Sequence, residues 1–333
     1  MLGMSIAKRL GLSIVFVSLS LVAPNAQAWD GHESIVSALQ PELNHLGFPV
    51  SGYEAVLRHV GDPDNGMDAN LDDSWDPLDE RKWMGGTKGP TSAGFRHMYF
   101  GGWQIAHPIA TFQIPIKAIG QAPERVAENA THAKHLLKAA LNAESRADGF
   151  KKLGWSFHYA QDLAQPFHSV QVLTPRMIPW KELLAWPPKR GFGNLVREAT
   201  RTVSNYHWAY EGYVRHRLRM ADSGVLQKCL AQSKVYANLE LEDVHSPKEL
   251  AYAVSRASVR LGPKLGGAVI EFFGKDLMSP DYDLPNGKGH LDYSALATRA
   301  DVKEHRAKLE EVTCAALANA AQATLWLAKW ALR

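Results

Sequence analysis

The segment HYAQDLAQPFH at 158–168 places two histidines and an aspartate within eleven residues of mostly apolar sequence. His158 and Asp162 are four residues apart, so on a helix their side chains lie on one face. The other faces of that helix are nearly apolar, which predicts that it is buried. Burying an unpaired carboxylate costs on the order of several kcal/mol, so Asp162 needs a strong partner. If the pair were isolated, a hydrogen bond to His158 would be sufficient.

The pair is not isolated, because His168 follows Pro166, which ends the predicted helix, and a second pair occurs later in the chain. In HWAYE, His207 and Glu211 are again four residues apart on a predicted helix. Two helices that each carry a histidine and a carboxylate at this spacing can hold a metal between them. Neutral imidazole combined with carboxylate suits zinc. The spacing therefore indicates a zinc centre.

Residues 1–28 have the pattern of a secretory signal. Lys8 and Arg9 precede the apolar run LGLSIVFVSLSLV, which is too short to span a bilayer, and PNAQA ends in Ala-x-Ala. We expect cleavage before Trp29 and export to the periplasm or the extracellular space. The α-amino nitrogen and carbonyl oxygen of Trp29 could then chelate a metal, with His32 close by in the chain.

The composition is that of a globular protein, with 333 residues, 46% hydrophobic and 21% charged. Residues 29–333 carry 35 Lys and Arg against 34 Asp and Glu, because Lys8 and Arg9 are the only charged residues before them. A nearly neutral protein does not require a polyanionic partner, so we expect no stable nucleic-acid complex. We also expect a monomer. Cys229 and Cys314 are the only cysteines, and they could pair in an exported chain.

Most of the chain after the signal has the apolar periodicity and the end signals of α-helices. Helices are predicted over 123–145, 149–165, 204–224 and 300–333, and over 246–274 as two helices broken near Gly262 and Pro263. Alternating strand patterns are scarce, and no linker separates two cores. The sequence therefore predicts one all-α domain over residues 29–333.

Two stretches break the helical pattern and are predicted to be loops. Residues 61–94 are rich in Gly, Pro, Asp and Trp. Residues 173–194 combine Trp180 and Trp186 with basic side chains. Tryptophan beside Lys and Arg suits a membrane–water interface, so this stretch is a candidate for peripheral contact with a phospholipid surface. The alternative is that the two tryptophans cover the core.

Taken together, the motifs resemble those of the bacterial zinc-dependent phospholipases C, which share a superfamily with fungal single-strand-specific nucleases. The core motif of that family, H-x3-D-x5-H, stands here at His158, Asp162 and His168. Its second motif is H-x3-E in the phospholipases and H-x3-D in the nucleases, and His207 with Glu211 has the phospholipase form. The resemblance covers residues 29–215 and, more weakly, the last predicted helix.

The other ligands of that family also have counterparts here. A metal-binding tryptophan created by signal cleavage, followed by a histidine that opens a helix, matches Trp29 and His32. An aspartate that often follows proline matches Asp64 in DPD, with Asp62 as the alternative in the same tripeptide. A histidine before an aromatic pair matches His97 in RHMYF.

The resemblance implies a trinuclear zinc site in a multi-helix domain of the phospholipase C and nuclease type. One ion would be held by Asp64, His97, His158 and Asp162. A second would be held by His168, His207 and Glu211. The third would be held by the main-chain nitrogen and oxygen of Trp29, by His32 and by a bridging Asp162.

The implied reaction is hydrolysis of a phosphodiester, in which Asp64 orients or deprotonates the attacking water. As a phospholipase C, the protein would cleave a glycerophospholipid to diacylglycerol and a phosphorylated head group. The alternatives are a single-strand-specific zinc nuclease and a non-catalytic, zinc-stabilised surface or binding protein. Relatives that recognise choline carry Tyr after the loop aspartate, where this chain has Asn65, so no preference for choline is predicted.

Overall fold

The computed structural model describes residues 31–64, 94–114, 117–139, 142–220 and 224–333. The predicted signal at 1–28, the predicted ligand Trp29 and most of the predicted loop at 61–94 lie outside these ranges. Among the described residues no helix is both long and apolar enough to cross a membrane.

The described chain is mostly helical, which confirms the predicted all-α class. The helices are α1 (His32–Ala38), α2 (Gln40–His45), α3 (Val50–His59), α4 (Gly94–His97), α5 (Ala122–Ala139), α6 (Ala143–Ala164), α7 (Pro188–Arg219), α8 (Gly224–Ala231), α9 (Ser233–Tyr236), α10 (Pro247–Phe273), α11 (Tyr293–Thr298) and α12 (Lys303–Leu332). Short 3-10 turns lie at Pro166–His168, Pro175–Met177, Trp180–Leu184, Lys275–Met278 and Leu284–Asn286.

Helix α6 is the central element, and α3, α5, α10 and α12 pack around it. Every residue from 153 to 174 is buried, so the segment that carries His158, Asp162 and His168 is enclosed by the protein. This confirms the burial predicted from its apolar neighbours. The helix begins where the side chain of Asn142 accepts a hydrogen bond from the main-chain nitrogen of Ser145, which satisfies one of its free amide groups.

The boundary between α5 and α6 differs from the prediction. The helix predicted over 123–145 ends at Ala139, and the next helix begins at Ala143 rather than at residue 149. Asn142 explains the difference, because its extended backbone and its side-chain cap start a new helix inside a stretch of continuous helical periodicity.

Helix α7 is longer at its start than the sequence predicts. It begins at Pro188 and runs through the predicted cap Ser204, so the predicted loop 173–194 ends in a helical turn. From the sequence, the consecutive prolines at 187 and 188 suggest that no helix passes through this point. Pro188 occupies the first turn, however, where a missing amide proton costs nothing.

Helix α10 is continuous, whereas the sequence predicted two helices broken near Pro263. Proline removes one hydrogen bond from a helix interior, yet α10 continues from Pro247 to Phe273. Leu261 and Leu265 on either side of Pro263 are buried in the core. Their packing offsets the lost hydrogen bond.

Two smaller features tie distant segments together. Strands β1 (Trp103–Ile105) and β2 (Phe112–Ile114) form an antiparallel hairpin, and β1 also pairs with Val172, just beyond the ionisable segment. Cys229 and Cys314 form a disulfide with a Cα–Cα distance of 5.3 Å. This bond joins α8 to α12 and answers the question of pairing that the sequence left open.

We predict that Gly52→Ala destabilises the protein although alanine is the better helix former. A Cβ atom at Gly52 in α3 would lie 2.6–2.8 Å from three ring carbons of Phe150 in α6, so the two helices would have to separate. The control is Gly267→Ala in α10, where an added Cβ meets no atom within 4 Å.

Both substitutions gain about 1 kcal/mol in helix propensity. The free energy of unfolding of Gly52→Ala should therefore be about 1–3 kcal/mol lower than that of Gly267→Ala in denaturant titrations. Equal stability of the two variants would contradict the close packing of α3 on α6.

Candidate metal centre

Five of the predicted ligands meet in one buried cluster, although they come from four separate segments. They are His32 at the start of α1, Asp64 after α3, His97 at the end of α4, and His158 with Asp162 on α6. Their ligand atoms form two overlapping groups of three, each within 4.8 Å: His32, Asp64 and His158, and His97, His158 and Asp162. We call these five residues the main cluster.

The two carboxylate oxygens of Asp162 face different histidines. Oδ2 lies 2.7 Å from Nδ1 of His97 and 3.3 Å from Nε2 of His158. Oδ1 lies 3.3 Å from Nε2 of His32. An aspartate in this position could contact one ion on each side, as the predicted bridging role requires.

Asp64, and not Asp62, belongs to the main cluster. Its Oδ1 lies 3.5 Å from Nε2 of His158, and its Oδ2 lies 3.7 Å from Nε2 of His32. Asp62 instead accepts hydrogen bonds from Nδ1 of His59 at 2.8 Å and from Nε1 of Trp155 at 3.0 Å. Of the two aspartates of DPD, Asp64 is therefore the one that lies with the other predicted ligands.

The remaining three predicted ligands form a second cluster. His168 in the 3-10 turn after α6 faces His207 and Glu211 on α7. The Nε2 atoms of the two histidines are 3.1 Å apart. Oε1 of Glu211 lies 2.7 Å from Nε2 of His207 and 3.3 Å from Nε2 of His168. Gln165 donates a further hydrogen bond of 2.9 Å to the same oxygen.

Main-chain carbonyl groups orient two of the imidazoles. Nδ1 of His158 donates to the carbonyl oxygen of Val60 at 2.8 Å, and Nδ1 of His168 donates to that of His97 at 2.9 Å. A carbonyl oxygen can only accept, so the proton of each neutral ring is on Nδ1 and the lone pair of Nε2 points into the cluster. Metal-binding histidines are commonly fixed in this way.

A chain of side chains orients His32. Its Nδ1 lies 2.7 Å from Oε1 of Gln161, whose Nε2 donates to Thr324 at 3.0 Å. Thr324 in turn donates to the carbonyl oxygen of Ala320 at 2.8 Å. Sequence reasoning did not assign a role to Gln161 or Gln165, although both lie beside His158 and Asp162 on the polar stripe of α6.

The charges and free lone pairs of the site fit divalent cations. Oδ1 of Asp64 and Oδ1 of Asp162 are buried and accept no hydrogen bond from the residues that the structure describes. In the described part of the chain, no Lys or Arg forms an ion pair with Asp64, Asp162 or Glu211. Three buried carboxylates surrounded by imidazoles leave a negative charge that metal ions would balance. Nitrogen and oxygen donors of this kind suit zinc.

The pKa values of these residues reflect the same close contact between carboxylates and imidazoles. Burial alone would lower the pKa of His158, but the carboxylates of Asp162 and Asp64 raise it well above its usual range. The pKa of His168 is also raised, because Glu211 and Asp162 outweigh its burial. Burial opposes ionisation of Asp162 and Glu211, yet the neighbouring imidazoles hold the pKa of Asp162 well below its usual range and lower that of Glu211 to about 2.

The structure therefore brings together eight of the nine predicted ligands, and the ninth, Trp29, lies outside the described residues. The histidines without a predicted ligand role lie outside both clusters: His45, His59, His107, His132, His135, His216, His245, His290 and His305. Comparisons with models of protein families, with curated proteins and with solved structures found no match.

We predict that zinc binding by the metal-free protein releases protons and tightens as pH rises. His158 and His168, with their raised pKa values, hold protons above the pH at which a free histidine loses them. Zinc binds neutral imidazole and must displace these protons. Asp162 and Glu211 are already ionised near neutral pH and release none.

Calorimetric titration in buffers of different ionisation enthalpy should detect on the order of one proton released per cluster near pH 7. The apparent affinity should increase with pH through the pKa values of the two histidines. Binding without proton release would show that they are not the ligands.

Proposed function

We propose that this protein is an exported zinc-dependent phosphodiester hydrolase, and that it acts on glycerophospholipids as a phospholipase C. The observation that carries the proposal is the convergence of eight predicted ligands in two buried clusters. These residues were selected by motif and order in the chain, and three of them, His32, Asp64 and His97, have no local pairing pattern. Their meeting around α6 supports the resemblance from which they were chosen.

Zinc bound at these clusters would supply Lewis acidity that activates water and offsets the negative charge developing on phosphoryl oxygens. Asp162, His97, His158 and His32 would hold zinc in the main cluster. The second cluster would hold a further ion through His168, His207 and Glu211, positioned to neutralise the phosphate or the leaving group.

Asp64 is the residue to which we assign proton transfer. It is 8% exposed, whereas the other members of the main cluster are at most 1% exposed, so it lies nearest the solvent. Within the described ranges its Oδ1 accepts no hydrogen bond, so this oxygen would take a proton from the attacking water. The water oxygen would form a bond to phosphorus as the bond to the glycerol oxygen breaks, and the released alkoxide would be protonated by solvent.

Two observations favour a phospholipid over a single-stranded nucleic acid. The chain after the signal carries almost equal numbers of basic and acidic residues, whereas proteins that bind single strands use a positively charged groove. In addition, the second cluster contains Glu211 where the nucleases that the chain resembles carry Asp.

We predict that Asp64→Asn and Asp62→Asn have opposite outcomes. Asp64→Asn removes a carboxylate from the main cluster and should lower hydrolysis about 100-fold or more, with weaker zinc binding. Asp62→Asn changes a neighbouring aspartate whose hydrogen bonds, among the described residues, are to His59 and Trp155. This control should keep its zinc and activity and lose about 1 kcal/mol of stability. The assignment of Asp64 is wrong if Asp62→Asn is the inactive variant.

The function is tested on purified protein that begins at Trp29. Its zinc content is measured by elemental analysis, and its activity is assayed on phosphatidylcholine vesicles and on single-stranded DNA, with and without a chelator. We expect about three zinc ions per chain and release of diacylglycerol that stops with chelator and returns with zinc. Cleavage of DNA alone would identify a nuclease. Zinc with neither activity, together with unfolding on chelation, would identify a zinc-stabilised binding protein.

A further inference from the structure

Residues 176–192, between α6 and the body of α7, expose an unusual concentration of large apolar side chains. Leu184 and Trp186 are 87% and 81% exposed, and Trp180, Leu183 and Phe192 are about half exposed. We call residues 176–192 the docking segment. Single exposed apolar residues are ordinary on protein surfaces, but several together mark a site of contact.

The docking segment is also strongly basic. It contains Arg176, Lys181, Lys189 and Arg190, all exposed, against the single acidic residue Glu182. Its net charge of +3 contrasts with the near-neutral balance of the protein after the signal. Tryptophan combined with Lys and Arg is typical of surfaces that sit at the boundary between lipid and water.

The docking segment is held in a defined conformation. A Cβ atom at Gly191 would lie 2.8 Å from the carbonyl oxygens of both Glu182 and Ala185, so the turn Trp180–Leu184 is seated directly on the first turn of α7. Nε1 of Trp180 donates to the carbonyl oxygen of Pro175 at 3.2 Å. The apolar side chains are thus presented outward on a packed support.

The docking segment adjoins the metal centre along the chain on both sides. It follows His168 by way of residues 169–174, which are all buried, and it leads into α7, which carries His207 and Glu211. Ligand candidates of the second cluster therefore precede and follow the docking segment in the chain.

We propose that the docking segment binds the surface of lipid bilayers that contain anionic phospholipids. This inference deepens the proposed function and rests on it for the identity of the substrate. The apolar side chains would enter the interfacial region, and the four basic side chains would be attracted to negatively charged head groups. The charge of the segment distinguishes this occupant from a second copy of the nearly neutral protein.

Binding is tested with the zinc-loaded protein and vesicles of phosphatidylcholine, with and without phosphatidylglycerol, in a flotation assay. We expect tighter binding when phosphatidylglycerol is present, and weaker binding as salt is added. The variant Leu184→Ser with Trp186→Ser should bind both kinds of vesicle about 100-fold more weakly. The variant Lys181→Ser with Lys189→Ser should lose about fivefold per residue on phosphatidylglycerol vesicles only.

The matched control is Lys234→Ser with Val235→Ser, which removes one exposed basic and one exposed apolar side chain from α9 and should bind as the unmodified protein does. Zinc content and circular dichroism confirm that each variant is folded. Hydrolysis of a short-chain phosphatidylcholine below its micelle-forming concentration should be unchanged in Leu184→Ser with Trp186→Ser, while hydrolysis of vesicles should fall with binding.

The inference fails if the unmodified protein does not bind either vesicle, or if the Leu184 and Trp186 double variant binds as well as the control. It also fails if vesicles are not bound and the same variant dissolves a dimer seen by sedimentation, since the segment would then be an interface between copies. Vesicle binding as expected, without hydrolysis of any phospholipid, would support the docking segment and refute the proposed function alone.

Discussion

The burial of three carboxylates with no lysine or arginine partner in the described part of the chain is the constraint that governs this structure. Asp162 is completely buried, and Asp64 and Glu211 are almost so. In the described part of the chain their neighbours are mainly imidazoles, which can balance the negative charge either by holding protons or by sharing metal ions. Because these acceptors lie within the core, the residues that stabilise the fold and those of the candidate site are the same.

Helix α6 belongs both to the hydrophobic core and to the candidate metal centre. The helix packs against α3, α5, α10 and α12, and its stripe with His158 and Asp162 faces the predicted ligands of other segments. Hydrogen bonds then connect the clusters to the scaffold: Val60 orients His158, the main chain at His97 orients His168, and α12 reaches His32 through Gln161. Three of the predicted ligands are thus oriented by main-chain or amide oxygens, which preorganises the site.

Three helix boundaries differ from those that the sequence predicted, and each difference has an identifiable physical cause. Pro188 reads as a helix breaker beside Pro187, yet it starts α7, because the first turn needs no amide proton. Pro263 would break an exposed helix, but buried leucines on both sides hold α10 together. Asn142 divides a continuous periodic pattern because its side chain caps a new helix. Pro188 and Asn142 act through local helix-end chemistry, whereas the continuity of α10 across Pro263 depends on packing.

The sequence by itself determined the helical class, the burial of 158–168 and the paired ligands, because residues four apart on a helix must share a face whatever surrounds them. Choosing His32, Asp64 and His97 required a resemblance, since nothing local marks them as ligands. Only the tertiary structure decided that Asp64 and not Asp62 lies in the main cluster. It also decided that Gln161 contacts His32, that Gln165 contacts Glu211, and that Cys229 pairs with Cys314. These are contacts between segments far apart in the chain, and their geometry exists only once the helices have packed.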